Sequence, residues 1–304
     1  MRIGNADVLR VEESSGASFA PGFMFPDWST EELADPPLWL DAHFTSGRTN
    51  IMGCLQSWIV RTGGLTIVID TGVGNHKERP GFADWHLQQS AYLQALDTAG
   101  VPLDSVDYVM STHLHSDHVG WNTTRSCDHQ WLPTFSNARY LFGRTEYEAY
   151  ARMLVDGPAQ AINQGSFADS VLPIMDSGRV QLIDSGFSLG ELIVLDAPGH
   201  SPGHLAFELQ SSGARALFVG DVIHHPVQLL QPGWSSRFCF DPRQAASSRR
   251  TLLDRCVDTD SWLFPGHFIA PHAVKLGRNG IGYVIEEAAP ADAFQDSSSV
   301  APQA

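Results

Sequence analysis

The chain has 304 residues, of which 43% are hydrophobic and 17% charged, so it can bury a substantial core as a single α/β domain. No apolar run approaches the length of a membrane span, which argues against a membrane-spanning helix. The net charge of −15 and the absence of basic runs argue against a nucleic-acid surface, which needs clustered Lys and Arg.

The amino terminus and the cysteines indicate the compartment. Residues 1–7 lack the apolar core of a signal peptide. Cys54, Cys127, Cys239 and Cys256 are far apart and match no zinc or redox spacing, which predicts free thiols in a reducing environment. We therefore expect a cytoplasmic protein that binds neither membrane nor nucleic acid.

The first third of the chain contains an irregular segment, a hairpin and a helix. Residues 14–50 are rich in Gly, Pro and aromatic residues without a clear period, which is typical of a lid or an interface segment. Residues 57–61 and 65–70 flank Thr-Gly-Gly and predict a β-hairpin. Apolar spacing predicts a helix over 86–99, and a strand follows at 106–110.

The remainder alternates strands and helices and ends in a polar tail. Strands are predicted at 139–143, 179–184, 191–196, 204–209 and 215–220, and helices at 144–155, 159–169 and 241–257. Residues 288–304 are mostly Ala, Pro, Ser, Gln and Asp, a composition that predicts disorder. We expect one domain over residues 1–287.

Directly after the strand at 106–110 comes the pattern H-x-H-x-D-H, formed by His113, His115, Asp117 and His118. An extended backbone points His113 and His115 to one side, while Asp117 and His118 follow the turn. A catalytic metal typically binds about three protein ligands and keeps one coordination position open for water. The pattern therefore predicts half of a two-metal site, although a His-rich tract alone can be a weak surface metal trap.

Three later segments repeat one arrangement, in which an apolar strand and a glycine precede a metal-ligating side chain. These residues are His200, Asp221 and His267. Any one of them alone would be interpreted as a turn residue, because glycine permits the backbone to turn there. Three such residues together with H-x-H-x-D-H indicate a shared metal centre.

Over residues 50–275 the chain resembles the metallo-β-lactamase superfamily, with the motifs in the family's order. The resemblance implies a four-layer αββα sandwich with metals at one edge between the sheets. It also implies seven ligands: His113, His115 and His200 for one metal, Asp117, His118 and His267 for the second, and Asp221 bridging both.

Zinc is the expected metal for both sites, because His and Asp ligands suit it and hydrolysis needs no redox chemistry. Iron or manganese in a hydrolytic role is left open. Family members with a redox iron pair carry an acidic residue where this chain has His115, which disfavours electron transfer. The resemblance also implies that Asp70 orients a ligating histidine, and a helix-capping or turn role is the alternative.

The resemblance implies a dinuclear zinc hydrolase in which a metal-bridging hydroxide attacks a small lactone or ester. Asp221 would fix the metal spacing, and the free oxygen of Asp117 would orient the nucleophile or pass a proton. The ligand set without cysteine departs from antibiotic-cleaving β-lactamases and is nearest the lactonase and methyl-parathion-hydrolase-like branch. The alternatives are cleavage of a phosphotriester or an activated carbon–halogen bond, and a non-catalytic binding protein. Whether the chain forms a homodimer is also left open.

Aromatic residues near the ligands are candidates for an apolar pocket wall that receives a small-molecule substrate, with core packing as the alternative for each. They are Trp121, Trp131, Phe135, Trp234, Phe238 and Phe268. His224 and His225 follow Asp221 closely. One of them is a candidate to contact substrate or protonate a leaving group, and a supporting or surface role is the alternative.

Overall fold

The computed structural model describes residues 1–33, 35–290 and 292–294. The strands are β1 (Arg2–Ile3), β2 (Ala6–Ala17), β3 (Met52–Thr62), β4 (Leu65–Ile69), β5 (Tyr108–Met110), β6 (Thr123–Arg125), β7 (Trp131–Pro133), β8 (Arg139–Gly143), β9 (Val180–Ile183), β10 (Ser188–Leu189), β11 (Leu192–Asp196), β12 (Leu205–Ser211), β13 (Ala214–Gly220), β14 (Trp262–Pro265), β15 (Val274–Asn279) and β16 (Gly282–Ala288). The α-helices are α1 (Pro21–Met24), α2 (Tyr92–Thr98), α3 (Arg144–Met153), α4 (Leu172–Asp176), α5 (Val227–Leu230) and α6 (Pro242–Asp258).

Two seven-stranded sheets form the centre of the molecule. The first has the order β1-β2-β3-β4-β5-β8-β9, and the second runs β10 to β16 in sequence order. The pairs β4–β5 and β13–β14 are parallel, so the loops that follow the strands of each pair leave the sheet at the same edge. The strands β6 and β7 form a separate two-stranded ribbon.

Period-two alternation along the strands builds the core between the sheets. On β12, Leu205, Phe207 and Leu209 are buried against the first sheet, whereas Ala206 lies in the cluster on the other face. On β13, Phe218 lies in the same inner core. Successive side chains of a strand point to opposite faces, so each strand contributes to two apolar layers.

Helices cover the outer face of each sheet. Tyr92 of α2 and Tyr150 of α3 are buried on the first sheet, and Leu252 and Leu253 of α6 are buried on the second. The result is the αββα layering that the resemblance predicted. Within the described ranges, no helix is long and apolar enough to cross a bilayer.

Several predicted elements are shorter or different in the structure. The helix predicted at 86–99 is confined to α2, and the one predicted at 159–169 is replaced by an irregular 3-10 turn over Ala159–Gly165 and a π-turn over Phe167–Val171. Asn163 and Gln164 have positive φ values of 47° and 56°, which no helix accommodates. Apolar spacing gave no sign of this break.

The segment 14–50 is partly regular. Its first four residues continue β2, and the following part contains α1 and short 3-10 turns over Leu38–His43 and Ser46–Arg48. Its aromatic side chains form a satellite core in which Phe25 and Phe44 pack with Trp234. It is therefore packed onto the sandwich; Ala34 lies outside the described residues.

The predicted tail begins later than residue 288. Ala289 is buried, and the Phe294 ring contacts Trp58 at 5.3 Å between centroids and also Phe264. The average hydrophobicity of the tail is low, so its composition did not reveal that Phe294 packs at the end of the core between the sheets. Residues 295–304 lie outside the described residues.

We predict that Phe207→Ala lowers the free energy of unfolding by about 3–5 kcal/mol, because it leaves a cavity between the two sheets. Phe240→Ala is the matched control, since the Phe240 side chain is 67% exposed and should change stability by no more than about 0.5 kcal/mol. Urea unfolding monitored by circular dichroism measures both values. Equal losses in the two variants would contradict the placement of the core.

Candidate metal centre

The predicted ligands converge where strands of the two sheets end. Asp70 directly follows β4, and His113 follows β5 by three residues in the first sheet. In the second sheet His200 follows β11, Asp221 follows β13 and His267 follows β14. Parallel strands deliver their carboxyl ends to the same edge, so residues far apart in sequence meet at one position between the sheets.

The structure arranges the seven residues in two groups. His113, His115, His200 and Asp221 offer ligand atoms that all lie within 4.8 Å of one another. The same limit holds for Asp117, His118 and His267. We call these the first group and the second group. Their membership matches the division that the resemblance implied, with Asp221 placed in the first group.

Asp221 faces both groups with different oxygens. Its Oδ2 lies 3.1 Å from His200 Nε2 and 3.8 Å from His113 Nε2. Its Oδ1 lies 3.2 Å from His118 Nε2 and 2.9 Å from His267 Nε2. A carboxylate with one oxygen toward each set of imidazoles is placed to bridge two cations.

Unpartnered polar atoms mark the space between these side chains. His113 Nε2, His118 Nε2 and Asp221 Oδ1 are buried and make no hydrogen bond within the described structure. Burying a polar atom without a partner is costly, so such atoms are rare in folded proteins. A metal ion between the groups would satisfy all three, and the residues present fit that role.

The electrostatics of the groups favour the same conclusion. Burial lowers the pKa of His115 to about 3 and that of His200 to about 4, so both imidazoles stay neutral and can donate lone pairs. Burial also opposes a charge on His118, but the carboxylates of Asp221 and Asp117 raise its pKa well above the ordinary value. The carboxylates thus create a strong demand for positive charge, which a divalent metal would meet.

Hydrogen bonds fix how the histidines present their nitrogens. His118 Nδ1 donates to Asp70 Oδ2 at 2.9 Å, which leaves Nε2 facing Asp221. His113 Nδ1 lies 3.0 Å from the Thr112 hydroxyl, and His267 Nδ1 donates to the Cys54 carbonyl at 2.9 Å. Such contacts orient metal-ligating rings and select their tautomer.

Asp70 has the orienting role that the resemblance implied. Besides holding His118, it accepts hydrogen bonds from the Thr112 backbone N–H and the Thr112 hydroxyl, each at 2.8 Å. It therefore joins the end of β4 to the segment after β5 and orients a histidine of the second group. Its φ of 56° is a left-handed conformation that aspartate tolerates better than most residues.

A cavity of about 840 Å³ opens onto the two groups. His115, Asp117, His200, Asp221 and His267 form one end of it. The large apolar side chains in its lining are those of Phe19, Met24, Ile51, Met52, Leu55, Phe82, Trp85 and Phe238. Three of these rings are in mutual contact, with centroid distances of 5.4 Å for Phe19–Phe238 and 6.2 Å for Phe82–Phe238.

Sequence proximity to the ligands was a poor guide to the cavity wall. Of the six aromatic residues predicted there, only Phe238 lines the cavity. Trp121 instead stacks on Tyr92, and Trp234 contacts Trp28. Phe135 and Phe268 are buried in the helix-side cores, and Trp131 lies under Lys77. The wall comes mainly from residues 14–19, 51–55 and 81–88, which carry no metal-ligand pattern.

Comparison with known proteins decides the family. Residues 56–267 match the model of the metallo-beta-lactamase superfamily, which is more than half of the chain. The chain belongs to this superfamily. The predicted resemblance to this superfamily is thereby confirmed.

Two of the relatives that the chain resembles are hydrolases by name. The chain is 27% identical over 189 residues to the N-acyl homoserine lactonase AiiA of Bacillus thuringiensis subsp. kurstaki, covering 60% of this chain and 64% of the relative. It is 28% identical over 188 residues to a hydroxyacylglutathione hydrolase of Shewanella baltica, covering 58% and 57%. Each match therefore spans less than two thirds of the relative.

Solved structures show the same fold over nearly the whole chain. The dizinc quorum-quenching lactonase AidC, in complex with a product, has a TM-score of 0.76 at 20% identity, covering 95% of this chain and 96% of AidC. The hydrolase AbOPH has a TM-score of 0.78 at 19% identity, with the same coverage. At this level of identity the likeness establishes the metallo-β-lactamase fold.

A buried glutamate that the sequence did not reveal supports this metallo-β-lactamase site. Glu13 accepts hydrogen bonds from the backbone N–H groups of Val73 and Gly74, at 2.6 and 3.0 Å, and from the indole of Trp121 at 2.6 Å. It also accepts from Gln88, which lines the cavity. Glu13 therefore joins β2 to the turn after β4 and to the cavity wall.

Three histidines near Asp221 have different surroundings. His224 Nε2 lies 3.2 Å from Asp221 Oδ2, and His224 lines the cavity. His225 donates to the carbonyl of His43 and accepts from Val227, so it has the supporting role left open as an alternative. His204, unassigned from sequence, accepts the Asp221 N–H at 3.2 Å.

A buried ion-pair cluster anchors the cavity wall between residues 77 and 88. Arg79 donates to both carboxylate oxygens of Asp169, at 2.7 and 2.9 Å, and to the carbonyl of Gln164. Lys77 Nζ donates to Thr123 Oγ1 at 2.6 Å and lies 3.5 Å from Asp169 Oδ1. Both cationic side chains are fully buried, so these contacts hold the wall against the sheet.

We predict that the free energy of unfolding rises with pH between about 7 and 10 more in the wild type than in Lys77→Met. Burial lowers the pKa of Lys77 to about 7, and Asp169 offsets only part of that effect. The unfolded chain therefore binds more protons than the folded chain in this window, and raising the pH favours folding. Urea unfolding at several pH values measures the difference, and parallel curves for the two proteins would refute it.

Proposed function

We propose that this protein is a dinuclear zinc hydrolase that opens a small lactone or ester. The observation that carries the proposal is the position of Asp221, with one carboxylate oxygen toward the first group and the other toward the second. A single-metal protein or a binding module has no need of this arrangement. His113, His115 and His200 would hold one ion, Asp117, His118 and His267 the other, and Asp221 both.

When bound, two zinc ions would lower the pKa of water and polarise a substrate oxygen. Residues of the chain would orient the water and move its proton. Asp117 lies at the cavity face with Oδ2 3.7 Å from both His118 Nε2 and His267 Nε2. From there its carboxylate can orient a water, hold the proton that the water loses, and return it to the leaving alkoxide.

The cavity supports a small substrate with an apolar portion. Its size is typical of small-molecule sites, and its aromatic rings suit an acyl chain or a ring. The net charge of −15 disfavours polyanions over long range. The lactonase among the relatives is consistent with an acyl substrate, because its name states that it acts on N-acyl homoserine lactones.

The test combines metal analysis with a substrate panel. We expect about two zinc ions per chain in protein prepared without chelator, and highest kcat/KM on an acyl-homoserine lactone or an aryl ester. A phosphotriester, a β-lactam and a short RNA complete the panel. Asp221→Asn should reduce the zinc content below two, because an amide is a poorer bridge between cations than a carboxylate.

The results would separate the two parts of the proposal. A wild-type protein that takes up no zinc would refute the two-metal site. Phosphotriester hydrolysis far ahead of every lactone and ester would refute the substrate class while leaving the metal site intact. Full zinc content in Asp221→Asn would show that this residue does not bridge.

His224 lies between the cavity and Asp221. Its ring is on the cavity wall, and its Nε2 lies 3.2 Å from Asp221 Oδ2. We predict that His224→Phe lowers kcat about 10–100-fold, as is typical when a group that orients a metal-ligating side chain is lost. His225→Phe is the neighbouring control for the general loss of a buried imidazole. Unchanged kcat in His224→Phe would contradict this role.

A further inference from the structure

A buried carboxylate outside the ligand set joins the two segments that supply the histidines of the first group. Glu146 is fully buried. Its Oε1 accepts the Leu114 N–H at 3.1 Å, and its Oε2 accepts the Ser201 hydroxyl at 2.8 Å and the Gly203 N–H at 2.7 Å. Leu114 lies between His113 and His115, and Ser201 directly follows His200, so one side chain holds both segments.

The local structure fixes Glu146 firmly. It lies in the first turn of α3, where a carboxylate interacts favourably with the helix dipole. The segment after His200 packs against this turn so closely that a Cβ on Gly203 would lie 2.2 Å from the Glu146 backbone nitrogen. Glycine is therefore required at 203 for the Glu146–Gly203 hydrogen bond to form.

Within the first group, His115 and His200 come from two different segments of the chain. Their rings are close together, with His115 Nδ1 and His200 Nε2 2.9 Å apart. Two ligands of one metal must keep a fixed separation, and Glu146 joins the segments that carry these two rings.

We propose that Glu146 is a positioning residue that sets the spacing of His113 and His115 from His200, and thereby the affinity of the first group for zinc. The second group should be less affected, because other groups hold its histidines: Asp70 holds His118, and the Cys54 carbonyl holds His267. The inference rests on the two-metal site proposed above and assigns a separate residue to one half of it.

Glu146→Gln is the informative variant, because it keeps the shape of the side chain but places an amide NH₂ where an acceptor is needed. At least one of the three donors then loses its partner. Loss of a hydrogen bond behind a metal ligand typically weakens metal binding about 10–100-fold. We expect a loss of that size for one zinc ion and a change under about 3-fold for the other.

Glu13→Gln is the matched control. Glu13 is also a buried carboxylate with several donors, but its donors come from residues 73, 74, 88, 90 and 121 rather than from the segments of the first group. The control reports the effect of losing a buried carboxylate as such. Circular dichroism and thermal unfolding of both variants establish that each is folded.

Zinc titration in buffers of defined free zinc, followed by elemental analysis of the protein, measures both affinities. Repeating the titration in a His118→Ala background isolates the first group, and in a His200→Ala background it isolates the second. Glu146→Gln should weaken binding in the former background and not in the latter. Ser201→Ala, which removes one donor to Glu146 and leaves the carboxylate in place, provides a milder variant that should show the same selectivity if Glu146→Gln fails to fold.

Two outcomes would overturn the inference and are distinguishable. A wild type that binds two zinc ions, with Glu146→Gln and Ser201→Ala binding both as tightly, or with both sites weakened equally, would refute the role of Glu146 alone. A wild type that binds no zinc would refute the proposed function and this inference with it.

Discussion

The structure depends on a carboxylate buried among imidazoles between two β-sheets. Asp221 is 4% exposed, and both of its carboxylate oxygens face histidine nitrogens. Burial opposes its charge, but the nearby histidines hold its pKa well below the ordinary value, so it stays ionised. A buried charge of this kind is stable only with a counter-charge and well-placed donors. The imidazoles meet part of that need, and the unpartnered nitrogens show what a cation would add.

The sandwich makes this cluster possible because it brings strand ends from both sheets to one edge. Ligands at strand ends are held by the rigid backbone of the sheet, while their side chains extend beyond the end of the strand. A further set of residues then fixes their directions from behind. Asp70 holds His118, Glu13 holds the turn after β4, and Glu146 holds the segments around His115 and His200. These three carboxylates come from different parts of the chain, and none of them is proposed as a ligand.

The cavity wall is built differently from the metal centre. Besides the end of β2 and the start of β3, it uses loop residues between 81 and 88, near the buried ion pair of Arg79 with Asp169. Asn163 and Gln164, both in left-handed conformations, lie on this wall. Strained backbone of this kind is often retained at functional sites. Because these loops carry no proposed ligand, their residues can change without moving one.

The amino-acid sequence by itself determined the family, the layering and the seven candidate ligands, because strand-end ligands carry their own local signal. An apolar strand, a glycine and then His200, Asp221 or His267 can be recognised in one dimension. The tertiary structure alone decided which residues surround the ligands. Glu13 and Glu146 resemble any other glutamate in sequence, and their roles arise from donors up to 108 residues away. Likewise Phe82 and Trp85 reach the cavity, whereas Trp121, next to the motif, does not, because the direction of a side chain is set by packing rather than by sequence position.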